Sequence, residues 1–297
     1  MLEELQKELD RLAAKQNNTG LPEFEGYSPN EMHQILYQPF TDGNPIEFNR
    51  LSDEEYLAMP IIKQVLYLAN IIKNAGELKL TQKGYLPVKV VGELCDQKFL
   101  PDEYHGYPIK VKKESDSEHT FLARGLLEQS GIIKKRYNKL SLTKSGEKLL
   151  TDTKKFFRKI WDTYTIKVNW AYFDGYTEEP VGQFGYSFSL ILLNKYGKKL
   201  MLDKFYSMKY YDALPMIYQD FAPNPYSDPI TTNIRCYSIR TFDRFLFYFG
   251  LIEIEQEKWG ADKFVITTQL FVELIQVCKP KGWTAPSIWD TKLRQIL

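Results

Sequence analysis

Eleven cations and only three acids fall within residues 131–170, and four of the cations surround one turn: Lys134, Lys135, Arg136 and Lys139 flank Tyr137-Asn138. Cations packed onto a short hairpin suit phosphate oxygens, which ask for positive charge rather than a particular base. Arg235, Arg240 and Arg244 form a second group. Arg240 and Arg244 are four apart, so a helix places them on one face. A guanidinium there can offer two parallel donors to guanine or to phosphate. These seven side chains are the candidate nucleic-acid site, with the hairpin for phosphates and Arg240 and Arg244 for base edges.

No other residues point to a reaction. His33, His105 and His119 have no second ligand at metal-site spacing. Cys95, Cys236 and Cys278 form no CxxC pair, and an odd count argues against a disulfide framework. Gly175, Gly182 and Gly185 do not match a dinucleotide fingerprint, and no phosphate-binding P-loop or GxSxG elbow is present. Acidic neighbours such as Asp102-Glu103 and Glu178-Glu179 splay apart and read as solvated loop charges. The expectation is a protein that is not an enzyme and needs no cofactor or metal.

The chain has 297 residues and a net charge of +1, but the charge is unevenly spread. Residues 1–60 hold 4 basic and 12 acidic side chains, whereas residues 131–170 hold 11 and 3. A basic block can bind a polyanion even in a neutral chain. Two outcomes are open: the acidic arm folds onto the basic block, or the block is free for a partner. No apolar run is long enough to span a membrane, and the N-terminus lacks the apolar core of a signal peptide, so a cytoplasmic protein is expected.

The elements that would hold these residues follow from periodicity. Leu2, Leu5, Leu9 and Leu12 make a narrow apolar stripe, expected to pack on this chain or on a twin. Ser28-Pro29-Asn30-Glu31 is a capping box with proline at the first helical position. From 61 onward the order is a helix over 61–74, a strand over 77–80, a helix over 86–96, a polar stretch over 98–117, a helix over 118–129, and a hairpin with strands near 133 and over 139–143. The order recurs: helix 187–195, strand 198–202, helix 204–220 broken at Pro215, helix 234–249, then a second hairpin returning over 263–267. Gly250-Leu251-Ile252 matches Gly131-Ile132-Ile133, and VITTQLFVELI matches LSLTKSGEKLL. An internal duplication follows. Between the units the aromatics Trp170, Tyr172, Phe173 and Tyr176 are expected mainly as core, with stacking on bases or a ligand as the other use, and Trp161, Trp170 and Phe173 are expected to be buried at the junction.

The stretch LLEQSGIIKKRYNKLSLTKSGEKLL, Leu126 to Leu150, resembles the end of bacterial winged-helix regulators: a helix closing on glycine, a basic hairpin, and a capped return helix. Ser28–Phe40 also resembles a segment that precedes winged-helix-like units in uncharacterised bacterial proteins, some bearing a SEC-C zinc motif whose cysteines are missing here. The resemblance implies a mainly α fold with small β-hairpins. Two tandem winged-helix-like units (61–150 and 185–297) would follow an acidic helical arm (1–60), with an aromatic helical connector at 151–184.

Function follows as two expectations. The first is nucleic-acid binding of the transcription-regulator type, with double-stranded DNA as partner. The alternative is a protein-interaction scaffold whose winged-helix units have lost DNA binding. It draws on the second hairpin, EIEQEKWGADK, which is acidic, and on the third helix of the first unit, where Arg124 stands against Glu118 and Glu128. In that reading Arg235, Arg240 and Arg244 pair with nearby acids such as Asp243, or with the acidic N-terminal arm.

Overall fold

The computed structural model describes residues 2–100, 110–219, 221, 227–258 and 260–281, with the backbone of 103–104 and 107–108. It is mainly helical, with small antiparallel sheets. Leu2–Asn17 (α1) is a helix with no buried residue. Its stripe does not pack on the chain as one expectation had it: Leu2, Leu5, Leu9 and Leu12 are all more than half exposed.

The rest of the acidic arm is core rather than appendage. Pro29–Tyr37 (α2) opens with the expected capping box: the Ser28 hydroxyl accepts from the Glu31 amide, and the Glu31 carboxylate accepts from the Ser28 amide. Ile46–Phe48 (β1) and Asp53–Ala58 (α3) follow. Met32, Ile35, Ile46, Tyr56 and Met59 join the single hydrophobic core.

The first unit runs Pro60–Ala75 (α4), Leu78–Lys79 (β2), Val88–Cys95 (α5), a small hairpin of Glu103–Tyr104 (β3) and Tyr107–Pro108 (β4), Glu118–Gln129 (α6), Ile133–Arg136 (β5), Lys139–Leu142 (β6) and Lys144–Leu149 (α7). Thr153–Asp162 (α8) leads through the aromatic connector. The second unit runs Tyr186–Tyr196 (α9), Met201–Leu202 (β7), Asp203–Ala213 (α10), Pro229–Ser238 (α11) with a π-helical continuation over Ile239–Leu246, Ile252–Gln256 (β8), Lys263–Thr267 (β9) and Gln269–Leu274 (α12). Ile275–Val277 (β10) then pairs with β1, tying the second unit to the arm.

The two stretches share a strand order and several single hydrogen bonds. The strand order is β2-β6-β5 in one sheet and β7-β9-β8 in the other, all antiparallel. Each third helix closes on a left-handed glycine, Gly131 at φ 73° and Gly250 at φ 68°. The next amide then reaches back, Ile132 to the Leu127 carbonyl and Leu251 to the Leu246 carbonyl. Thr143 donates its hydroxyl to the Gly131 carbonyl at 2.7 Å, and Thr268 to the Gly250 carbonyl at 2.8 Å. Both threonines also cap the following helix. Ile133 faces Leu142 in one register, and Ile252 faces Thr267 in the other.

Trp161 sits where the parts meet. It is fully buried, with ring centroids 4.8 Å from Phe249, 5.1 Å from Phe245 and 5.1 Å from Phe48. The arm, the connector and the second unit therefore share one aromatic cluster, and offset or edge-on pairs of this kind add to plain burial. Trp170 is buried too, and Phe173 packs against the core. Tyr172 is 68% exposed.

Two helix limits differ from expectation. The helix after β7 stops at Ala213, because Pro215 lacks the amide that a continuing helix requires, and a short 3-10 turn follows. The third helix of the second unit begins at Pro229, earlier than expected. Asp228 accepts from the Thr231 amide as its cap, and proline takes the first turn.

Candidate nucleic-acid interface

The hairpin of the first unit is built as its charge pattern suggested. Tyr137 and Asn138 form its two-residue turn, both left-handed at φ 47° and 57°, the geometry that lets two strands return with their natural twist. The Asn138 side-chain amide donates to the Thr81 carbonyl at 2.8 Å, and the Leu80 amide donates to the Asn138 carbonyl at 2.9 Å. The tip is thereby laced to the end of β2.

Register sorts the cations by face, because paired residues in a sheet point the same way. Leu140 is buried, so Lys135 opposite it lies on the core side, and its stem runs toward Gly84. The other face carries a transverse row: Lys79 pairs with Lys139, which pairs with Arg136. Lys134, opposite Ser141, shares that face. Lys134, Lys135, Arg136 and Lys139 are all exposed, as the sequence reading required. Like charges directly opposite one another on a sheet destabilise it. Glu77 offsets one of them, 2.6 Å from Lys139, and this contact holds the Glu77 carboxyl below its usual range. The Arg136 guanidinium lies 5.1 Å from the ring of Tyr137, which is 84% exposed at the tip.

The second group of candidates is dispersed. Arg235 is exposed on α11. Arg240, expected to contact bases, has no exposed surface. Its Nε and Nη2 donate to the two Asp174 carboxylate oxygens, each at 2.8 Å, and its remaining donors reach the Glu179 and Thr177 carbonyls. Burial works against this charge, but the Asp174 hydrogen bonds outweigh it and hold the guanidinium protonated. Arg244 is 13% exposed and spans Asp174, Glu118 and the Phe173 carbonyl. Neither side chain is available to a base edge. The paired acids are Asp174 and Glu118; Asp243 instead binds Lys263 at 2.6 Å.

The third helix of the first unit is similarly occupied. Arg124 pairs with the buried Glu114 at 3.0 Å and with Glu128 at 2.9 Å. Glu114 in turn accepts from the Leu86 amide. His119 is buried with its ring 5.0 Å from Tyr248.

The acidic arm does not lie on the basic hairpin through its acids. Glu25 binds Lys195 at 2.7 Å and also Lys209 and the Tyr196 hydroxyl, all in the second unit. The arm meets the basic block mainly through aromatic packing on Phe157 and Trp161, and the block's Arg158 places its guanidinium over the rings of Phe40 and Phe48.

The outer face of the second sheet is the reverse of the first. Glu253 and Glu255 stand on β8, opposite Ile266 and Phe264. Among the described residues no group of His, Cys, Asp and Glu could hold a metal ion, and no helix is long and apolar enough to cross a membrane.

Sequence reasoning missed Lys79 and Asp174. Lys79 was legible as the exposed position of a two-residue strand, but its neighbours depend on register. Asp174 is the one acid between Trp170 and Tyr176, and an acid among aromatics needs a buried cation. Compared with known proteins, the chain matches no family model, and no curated protein and no solved structure is significantly similar to it.

Proposed function

We propose that this is a non-enzymatic nucleic-acid-binding protein built from two tandem winged-helix-like units, and that it grips the phosphate backbone through the wing of the first. The observation that carries the reading is the row Lys79–Lys139–Arg136 with Lys134 beside it. Four cations on one small face, offset by one glutamate, lower their mutual repulsion by taking up an external polyanion. Tyr137 at the tip adds an exposed ring that can stack on a base or a sugar.

The reading differs from a sequence-specific regulator in one respect. Arg124 of α6, Arg240 and Arg244 are spent on internal acids, so binding rests on backbone charge and tolerates any sequence. Transcriptional control would then depend on a partner that supplies the address.

The scaffold reading keeps one specific observation in its favour: the exposed leucine stripe of α1, a surface that fits a protein partner.

The experiment is an anisotropy titration of a labelled random duplex at low salt. The wild type should bind, and a variant with Lys79, Lys134, Arg136 and Lys139 changed to Gln should not, while Arg240→Lys, if folded, should leave the affinity unchanged. A wild type that binds no duplex removes this reading and leaves the scaffold.

A further inference from the structure

The two sheets end on strands of opposite charge. β5 and β8 are the outer members of β2-β6-β5 and β7-β9-β8, so each has one side without a strand neighbour. Among the described residues neither free edge gains a backbone partner from a loop. On β5 the residues facing away from the core are Lys134 and Arg136; on β8 they are Glu253 and Glu255. All four are exposed.

Charge on an edge strand ordinarily prevents one sheet from pairing with another. Here it does so selectively. Pairing β5 with a second β5 would bring cation against cation, and β8 with β8 would bring glutamate against glutamate. Pairing β5 with β8 of another copy does the opposite. In an antiparallel register Lys134 meets Glu255 and Arg136 meets Glu253, and Lys135 lies beside Ile254, where its stem can pack. Repulsion in the two like pairings and attraction in the cross pairing is how a specific interface is written.

We propose that β5 of one molecule pairs antiparallel with β8 of a second copy, joining two three-stranded sheets into one of six strands. The contact is heterologous, so each added copy leaves a free β8 at one end and a free β5 at the other, and association continues into short chains unless it closes in a ring. The partner is the same chain, because both halves of the complementary pattern occur in it. The proposal does not rest on nucleic-acid binding, although Lys134 and Arg136 serve both and a duplex would compete with assembly.

Sedimentation velocity on the full chain, without nucleic acid, tests it across a concentration series. At low salt the average mass should rise with concentration from the 34.9 kDa of one chain, and high salt should reverse the rise. The variants K134E/R136E and E253K/E255K should each shift assembly to at least about tenfold higher concentration. The four-site charge exchange combining both sets should restore it, which a fold defect would not allow. A wild type of constant mass throughout would overturn the proposal. So would an exchange variant that fails to reassemble while remaining folded by circular dichroism. Assembly that disappears on deleting residues 2–17 but ignores the charge reversals would also overturn it, by assigning the contact to the α1 leucines.

Discussion

Asp174 holds Arg240 in a two-pronged contact, 2.8 Å to Nε and 2.8 Å to Nη2, and the two side chains are 6% and 0% exposed. The carboxylate comes from the connector and the guanidinium from the second unit, while Arg244 carries the same network to Glu118 of the first. Removing one member strands a buried charge. Asp174→Ala should cost about 3–5 kcal/mol in urea denaturation. Because the network joins both units, the loss should appear in a single transition followed by fluorescence and by circular dichroism alike. A separate early transition of one unit would contradict the joint role.

The glycine-threonine closures can be compared between units. Gly131 and Gly250 share a left-handed backbone, so Gly→Ala is strained at both, by about 1 kcal/mol. A Cβ at Gly131 meets open space, whereas one at Gly250 would lie 3.1 Å from the Pro60 ring. Gly250→Ala should therefore be the more destabilising, measured by thermal denaturation, and the reverse order would contradict the shared geometry.

Glu25 gives a pH dependence. Burial raises its pKa, but the Lys209 charge and the hydrogen bonds from Lys195, Lys209 and Tyr196 outweigh that and leave it below its ordinary 4.5. A carboxylate whose folded value is depressed contributes stability that is complete above its unfolded value and is lost as pH falls through the folded one. The wild type should thus lose this contribution only below about pH 4.5. Glu25→Gln should be less stable by about 2 kcal/mol at neutral pH, a figure discounted because Lys195 is partly exposed, and its stability should fall less on acidification. Parallel acid curves for the two proteins would contradict the assignment.

Tyr137 separates stability from binding. A tyrosine at φ 47° is in a region that glycine occupies without cost. Tyr137→Gly should stabilise the hairpin by about 1 kcal/mol in thermal denaturation and weaken duplex binding. Unchanged affinity would remove the exposed ring from the interface.

What could be read from the sequence was what local rules govern. The capping box at Ser28, the turn at Tyr137-Asn138 and the paired Gly131 and Gly250 each depend on a few neighbouring residues, and the structure has them all. The wing cations were legible because charged side chains on a short hairpin stay in water on either face. Arg240 and Arg244 were misread because the i,i+4 rule places two residues on a face without saying what covers it. Tyr237, Phe242, Phe245 and Phe249 on that helix are all buried in the core, and Asp174, which takes up Arg240, is distant in sequence. The exposure of α1 was illegible for the converse reason: a leucine stripe reports that a surface is apolar, not whether anything lies on it.

The most direct test is the salt dependence of duplex binding. The logarithm of the binding constant should fall linearly with the logarithm of salt concentration, with a slope of about −3 to −4 if Lys79, Lys134, Arg136 and Lys139 each neutralise one phosphate. Changing each in turn to Gln should reduce the slope by about 0.9 and weaken all duplex sequences alike. A slope that these changes leave untouched, or discrimination between sequences that survives their removal, would contradict a grip built on the first wing.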